Sequence, residues 1–256
     1  MVRATPFVIL TAPRSGSAWL VDGLNNHPRV AAYGELFVPE TRGREGAYGR
    51  QDVPLFTNYV GNGSGRLSRL GLLRKRVAYL NGLYGRSDTD CVGFKLVYSH
   101  ATLNPGVLTY LSIRRVKVVH LIRSNVLDSV ISWETARARG LFHARKGDVL
   151  ESVRVELDAD TLLETLDHHE YAIAVARSWI RNLRLPYTEA FYEELTGVRQ
   201  DEKLARLLAF LDVEPTVAEL GSELVRMNPA DHRKLIANYD EIRHALAGSR
   251  FEWMLR

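Results

Sequence analysis

Residues 7–20 constrain the fold of this chain more than any other segment. The run begins with the apolar residues 7–10, passes through a tight turn at residues 13–16, and continues as a helix. Backbone N–H groups in the first turn of a helix lack partners within the helix, and the helix dipole adds partial positive charge there. Arg14 adds a planar cation beside them. The segment therefore predicts a buried strand, a turn and a helix whose first turn binds phosphate or sulfate.

The turn differs from the phosphate-binding loop of Mg-nucleotide enzymes. That loop ends in Gly-Lys followed by Ser or Thr, whereas residues 13–19 read Pro-Arg-Ser-Gly-Ser-Ala-Trp. The turn is therefore a poor fit to Mg-ATP, although it keeps the general features of an anion site.

The rest of the chain alternates short apolar runs with segments of helical periodicity. Strands are predicted at residues 6–12, 29–33, 91–98, 116–122 and 185–191, and helices at 17–26, 161–183 and 201–211. Runs that are apolar on both faces and separated by helices are typical of a parallel sheet covered on both sides. The predicted fold class is α/β, with three layers and a central parallel sheet.

Two further features concern the helical segments. Thr161 and Glu164 have the spacing of a capping box at the start of the helix over 161–183. Residues 217–256 are predicted to be mainly helical and polar.

Length and composition favour a single domain over residues 1–256. With 46% hydrophobic content, the 256 residues suffice for one sizeable core. Residues 37–65 are rich in Gly, Pro, Asn and Arg, which favours an irregular excursion. The 37–90 region is therefore predicted to be a variable insertion that faces the substrate.

Charge patterning favours a small anionic ligand over a nucleic acid. The formal net charge is +4, and 34 basic residues are scattered among 30 acidic ones. The densest basic stretch, residues 66–76, interleaves arginine and lysine with leucine. This pattern predicts a solvated helix face and leaves open a peripheral contact with a membrane surface or an anionic substrate.

The cysteine content and the apolar runs bear on location. Cys91 is the sole cysteine, which excludes a disulfide within the chain, and it is expected to be buried. No apolar run approaches the roughly 20 residues of a membrane helix, and the N-terminal run is better explained as a strand than as a signal peptide. The expected location is the cytoplasm or another reducing compartment.

A second strand end carries an arginine. Residues 116–122 form an apolar run that Arg123 follows, and Ser132 lies on the helix predicted after it. Ligands of open α/β sheets bind at the carboxyl ends of the strands, so Arg123 and Ser132 are predicted to share an anion. Together with Arg14, they predict a ligand with two anionic groups.

These two segments resemble the motifs of sulfotransferases that use 3′-phosphoadenosine-5′-phosphosulfate (PAPS). In that family, a strand-turn-helix holds the 5′-phosphosulfate, and an arginine at a strand end holds the 3′-phosphate with a serine on the next helix. The residues that match these motifs are Pro13, Arg14, Ser15, Gly16, Ser17, Ala18, Trp19, Arg123 and Ser132. The spacing of the last two is similar to that in the bacterial trehalose and nodulation-factor branch.

Shorter matches extend the resemblance from about residue 6 to the end, and it is weakest over 37–90. Residues 34–37, Gly-Glu-Leu-Phe, are similar to an element after the first helix of the bacterial branch. Residues 191–195 resemble an element whose tyrosine, here Tyr192, lies near the adenine. The resemblance implies a fold of the P-loop nucleotide-kinase type.

The resemblance also implies an activity. The chain is expected to move a sulfuryl group from PAPS to a hydroxyl acceptor without a metal, and to release adenosine 3′,5′-bisphosphate. A carbohydrate or glycolipid acceptor is expected. Two alternatives stay open, a kinase that uses ATP and a non-catalytic module that binds a nucleotide.

Sulfuryl transfer requires a nucleophilic hydroxyl, an in-line approach and stabilisation of charge on the departing phosphate oxygen. Arg14 is predicted to provide that stabilisation. The bacterial branch places a catalytic glutamate at the motif that contains Glu35, which is therefore the expected base. His100 is the competing base, and Lys95 either assists the leaving group or lines the end of the sheet.

Overall fold

The computed structural model describes residues 4–38, 48–61, 68–86, 88–215 and 220–255. Its centre is a five-stranded parallel sheet with the order β2-β3-β1-β4-β5. The strands are β1 (Thr5–Thr11), β2 (Val30–Glu35), β3 (Cys91–Val97), β4 (Lys117–Ile122) and β5 (Tyr187–Phe191). Because all strands run the same way, their carboxyl ends meet at one edge of the sheet.

Helices cover both faces of this sheet. They are α1 (Ser17–Asn25), α2 (Phe56–Val60), α3 (Arg69–Tyr84), α4 (Tyr98–Leu103), α5 (Pro105–Ile113), α6 (Val126–Arg139), α7 (Ala159–Asn182), α8 (Tyr192–Leu195), α9 (Gln200–Phe210) and α10 (Tyr239–Leu246). Phe7 and Ile9 of β1 pack with α1 and α9, whereas Val8 and Leu10 pack with α3, α5, α6 and α7. The structure confirms the predicted α/β fold with three layers.

The eight predicted strands and helices are all present, and their ends differ from the predictions by at most two residues. The predicted capping box is wrong, because α7 begins before Thr161. Asp158 is the N-cap, and its carboxylate accepts hydrogen bonds from the backbone N–H groups of Asp160 and Thr161. Cys91 is buried, as expected.

The C-terminal region is less helical than predicted. Within residues 220–255, the structure has α10 and two 3₁₀ turns, His232–Lys234 and Glu252–Met254. Polar side chains that suggested solvated helices anchor the segment instead, and Asn238 Nδ2 donates to Leu157 O at 2.8 Å.

Part of the 37–90 region is more regular than predicted. The stretch predicted to be irregular, 37–65, contains α2, whereas the helix predicted over the basic stretch 66–76 is present as part of α3. Helix α3 is the crossover helix that leads into β3. Ser68 caps α3 by accepting a hydrogen bond from the N–H group of Gly71. Residues 39–47, 62–67 and 87 of the region, Arg66 of the basic stretch included, lie outside the described residues. None of the helices that the structure describes combines the length and apolarity that a membrane crossing requires.

Candidate active site

The turn between β1 and α1 contains two residues in a left-handed backbone conformation. Arg14 has a φ of 61° and Gly16 a φ of 82°, both in the left-handed region. A Cβ atom on Gly16 would lie 2.1 Å from the Tyr192 ring. Glycine therefore meets two constraints here, the backbone conformation and the close approach of an aromatic ring. Gly16 is also the N-cap of α1, and no side chain of the described residues caps this helix.

The serine next to Arg14 holds the turn together from inside. Ser15 is buried, and its hydroxyl forms hydrogen bonds with Thr11 Oγ1 and, at 2.9 Å, with the backbone O of Ala12. The Ser15 side chain therefore supports the loop instead of facing a ligand.

A cavity of about 730 Å³ opens at the carboxyl edge of the sheet. Every predicted site residue except Ser15 lines it. These residues are Pro13, Arg14, Gly16, Ser17, Ala18, Trp19, Glu35, His100, Arg123, Ser132 and Tyr192. They come from five separate segments of the chain, and the parallel sheet brings them together as expected for an open α/β fold.

The guanidinium of Arg14 is held by neutral oxygen atoms. Its Nε donates to Ser132 Oγ at 3.0 Å, and its Nη1 donates to the backbone O of Phe142 at 2.7 Å. Burial and the nearby charge of Arg123 lower the pKa of Arg14 to about 10, so the side chain stays cationic at neutral pH. Ser132, predicted to share an anion with Arg123, makes its described contact with Arg14.

Arg123 is held by a carboxylate that the sequence did not single out. Its Nη2 lies 3.1 Å from Asp128 Oδ2, and Asp128 Oδ1 lies 2.7 Å from Nε2 of the fully buried His232. The Nη1 atom of Arg123 donates to Arg14 O at 3.1 Å. The Nε atom is buried and has no hydrogen-bond partner among the described residues. We call Arg14, Arg123 and Ser132 the arginine end of the cavity.

Strands β2 and β3 contribute an ion pair at the other end. Glu35 is opposite Lys95 in the strand register, and Lys95 Nζ lies 2.7 Å from Glu35 Oε1. The Lys95 ammonium also donates to the Tyr48 hydroxyl at 3.0 Å. We call Glu35 and Lys95 the Glu35–Lys95 end.

The pair holds both groups in their charged forms. Burial alone would raise the pKa of Glu35, but Lys95 and the neighbouring His100 and His143 outweigh it, so the pKa lies below its usual value. Burial alone would lower the pKa of Lys95, but Tyr48 and Glu35 outweigh it in turn, and the pKa is raised.

Two histidines surround this pair. The Nδ1 atom of His100, on α4, lies 3.4 Å from Glu35 Oε2. The ring of His143 lies 4.8 Å from the Tyr48 ring, edge to face. Burial and the charges of Arg14 and Lys95 lower the pKa of His143 to about 4, so its imidazole is neutral at neutral pH.

Tyr192 packs against the β1–α1 turn. Its ring lies 6.5 Å from that of Trp19 in an edge-to-face contact, and the Arg123 guanidinium lies 5.2 Å from its centroid. The ring is therefore fixed between the turn and Arg123, and it also lines the cavity.

Sequence reasoning missed Tyr48, His143, Asp128 and His232. Asp128 carried a local signal, since it lies one turn after Arg123 in the first turn of α6. The other three lie in segments whose patterns gave no sign that they approach the site. His168 and His169 are neighbours on α7. Within the described part of the chain, no group of three or more His, Cys, Asp or Glu side chains is placed to hold a metal ion.

Among the comparisons with known proteins, the one with solved structures gave matches. No protein-family model matches the chain, and no curated protein matches it. Eleven chains of solved structures match. One is a sulfotransferase from Alicyclobacillus acidocaldarius, which is 16% identical over 100% of this chain and 96% of that chain, with a TM-score of 0.48. The functional argument therefore depends on the residues and geometry of the site.

Proposed function

We propose that the chain is a sulfotransferase that transfers a sulfuryl group from PAPS to a hydroxyl group of a carbohydrate or glycolipid. One observation carries the proposal. A single cavity joins two arginines from adjacent strand ends to a pair formed by the buried Lys95 and the partly buried Glu35. Those are the groups that an anionic donor and an activated hydroxyl require. The expected cytoplasmic location stays a prediction.

The residues present fit a donor with two anionic groups. The buried Nε of Arg123 is a donor without a partner among the described residues, and a ligand oxygen would satisfy it. The N-terminus of α1 and Arg14 form a second group of donors on the same cavity. We assign the 5′-phosphosulfate to residues 13–19, the 3′-phosphate to Arg123 and Ser132, and the adenine to Tyr192.

The chemistry divides between the two ends of the cavity. Bound PAPS supplies an activated sulfuryl group with a phosphate leaving group. Arg14 offsets the negative charge that develops on the departing oxygen. Glu35 is held as a carboxylate, so it can accept the proton of the attacking hydroxyl. A loose transition state needs little help from a strong base, which suits a carboxylate of low pKa.

Donor choice is tested by calorimetric titration with adenosine 3′,5′-bisphosphate and with ATP. We expect the bisphosphate to bind more tightly, and Arg14→Ala and Arg123→Ala each to weaken it by on the order of a hundredfold. Arg206→Ala is the matched control, because Arg206 pairs with Glu202 on the surface of α9. Equal or tighter binding of ATP, or indifference to both site substitutions, would exclude the donor assignment and favour the ATP-using kinase.

The base is tested by turnover and binding together. Glu35→Gln is expected to keep bisphosphate affinity and to lower turnover by on the order of a hundredfold. Glu194→Gln is the control, since Glu194 forms a pair with Lys203, at 2.9 Å, between α8 and α9. If His100→Ala has the large effect and Glu35→Gln does not, His100 is the base. Bisphosphate binding without transfer to any hydroxyl acceptor would indicate a non-catalytic binding module.

A further inference from the structure

Helix α3 has an exposed apolar stripe. Leu70, Leu73 and Val77 recur at helical spacing and are 57%, 39% and 36% exposed. Leu103, at the end of α4, is 67% exposed. We call these four residues the apolar patch. Several large apolar side chains exposed on one surface are typical of an interaction site.

Contacts between α3 and the segment after α4 join the members of the patch. Arg76 Nη2 donates to Asn104 Oδ1 at 2.9 Å, and Asn104 directly follows Leu103. A Cβ atom on Gly106 would lie 3.1 Å from Leu73 Cδ1. The exposed leucines of α3 and α4 therefore lie on neighbouring parts of one surface.

The topology places this surface beside the cavity. Helix α3 leads into the amino end of β3, so its first turns lie at the carboxyl edge of the sheet. Helix α4 follows the carboxyl end of β3 directly and carries His100, which lines the cavity, three residues before Leu103. The apolar patch and the cavity thus share one edge of the molecule.

The charged residues of α3 are all of one sign. Helix α3 contains Arg69, Arg74, Lys75 and Arg76 and no acidic residue. The first three are exposed. The Lys75 ammonium lies 5.7 Å from the ring centroid of Tyr59, which is itself 39% exposed. Exposed leucines flanked by the cations Arg69 and Arg74 are the composition of a helix that lies on an anionic membrane surface.

We infer that the apolar patch docks the protein on the surface of an anionic lipid bilayer, with Arg69 and Arg74 contacting the headgroups. A second copy of the chain fits less well, because a two-fold axis would bring the same cations together. A nucleic acid would pair with the cations but would leave the leucines in water. A bilayer accommodates both the leucines and the cations, and the docked edge is the one at which the cavity opens.

Vesicle sedimentation tests this inference without reference to catalysis. The wild-type chain is expected to bind vesicles of phosphatidylcholine with phosphatidylserine, to bind pure phosphatidylcholine vesicles far less, and to dissociate as salt is raised. Leu70→Ser combined with Leu73→Ser is expected to lower binding at least tenfold. Arg69→Ser combined with Arg74→Ser is expected to lower it about fivefold for each cation removed.

The opposite edge of the molecule offers a matched control. Ile113 is 75% exposed at the end of α5, which leads toward the amino end of β4, and Arg114 follows it. Ile113→Ser combined with Arg114→Ser is expected to leave vesicle binding unchanged. Three results would overturn the inference. The wild-type chain does not bind the anionic vesicles, the control variant loses as much binding as the patch variants, or the patch leucines prove to hold a dimer in solution. Far-UV circular dichroism checks that each variant is folded.

Discussion

The two ends of the cavity hold their charges differently. At the arginine end, the carboxylate of Asp128 pairs with Arg123, whereas Arg14 is held by neutral oxygens. At the Glu35–Lys95 end, one carboxylate meets one ammonium directly. The first arrangement keeps positive charge available for a ligand, whereas the second is neutral overall and holds a carboxylate ready to accept a proton. The proposed roles in donor binding and in proton transfer thus fall to different corners of one sheet edge.

The largest effect is expected when the cation is removed from the Glu35–Lys95 end. Lys95→Met leaves the Glu35 carboxylate without its main partner, which should cost about 3 kcal/mol of unfolding free energy. Arg123→Met should cost less, because Asp128 keeps His232 as a partner. Urea denaturation measures both. Adding Glu35→Gln to Lys95→Met should recover part of the lost stability. Equal losses of stability in Lys95→Met and Arg123→Met would show that the two ends do not differ in how they hold their charges.

The next effect concerns the turn that shapes the arginine end. Gly16→Ala places a side chain at a φ of 82° and against the Tyr192 ring. Gly140→Ala is the matched control, because Gly140 has a φ of 66° with open space around its Cβ position. We expect Gly16→Ala to be more destabilising than the control by about 1–3 kcal/mol, the cost of overpacking. Tyr192→Ala in the same chain should remove that difference, and thermal or urea unfolding would show whether it does.

A smaller effect tests how Arg14 is oriented. Ser132→Ala removes the hydroxyl that accepts the Arg14 Nε hydrogen bond at 3.0 Å. We expect bisphosphate affinity to fall about tenfold, since one hydrogen bond to a charged group is lost. Calorimetry against Ser178→Ala on α7 provides the comparison, because the Ser178 hydroxyl bonds only to the backbone O of Val175 among its described hydrogen bonds. Unchanged affinity in Ser132→Ala would show that Arg14 needs no such support.

The smallest effect distinguishes a cavity histidine from a core histidine. His143 and the fully buried His120 both have a pKa lowered to about 4, with burial as the first cause in each. An anion bound near Arg14 stabilises the imidazolium of His143, so the bisphosphate should raise that pKa by about half a unit. His120 lies in a network with Tyr98 and Glu189 and should not respond. NMR titration of both imidazoles with and without the bisphosphate measures the difference; a fall at His143, or an equal rise at His120, would contradict it.

Much of the fold was predictable from local patterns. Apolar runs of strand length predicted five strands, and helical spacing predicted α1, α7 and α9. The C-terminal segment was mispredicted because its polar residues are used in tertiary hydrogen bonds, which composition does not reveal. The crossover helix α3 was predicted only over the basic stretch 66–76, and its continuation to Tyr84 was not, for a related reason. Its exposed leucines and buried tyrosines blur the helical period that identifies an ordinary packed helix.

The roles of the predicted site residues stay predictions, but the structure shows which of these residues lie close together. Glu35 and Lys95 are 60 residues apart in sequence, and only the pairing of β2 with β3 brings them to 2.7 Å. His143 and Tyr48 reach the same corner from segments without a motif. No pattern of spacing along the chain contains that information, because it depends on strand order.

The sequence by itself determined the local chemistry of this protein. The prediction that the turn between β1 and α1 binds an anion depends only on residues near Arg14 and Gly16, through φ preference, helix polarity and a fixed cation. The tertiary structure alone decided which charged groups pair with one another. It connected Arg123 to Asp128 and His232, paired Glu35 with Lys95, and turned Leu70 and Leu73 of α3 toward solvent. Charge interactions act through space and weaken with distance, so they follow the order of the strands in the sheet and not the order of the residues in the chain.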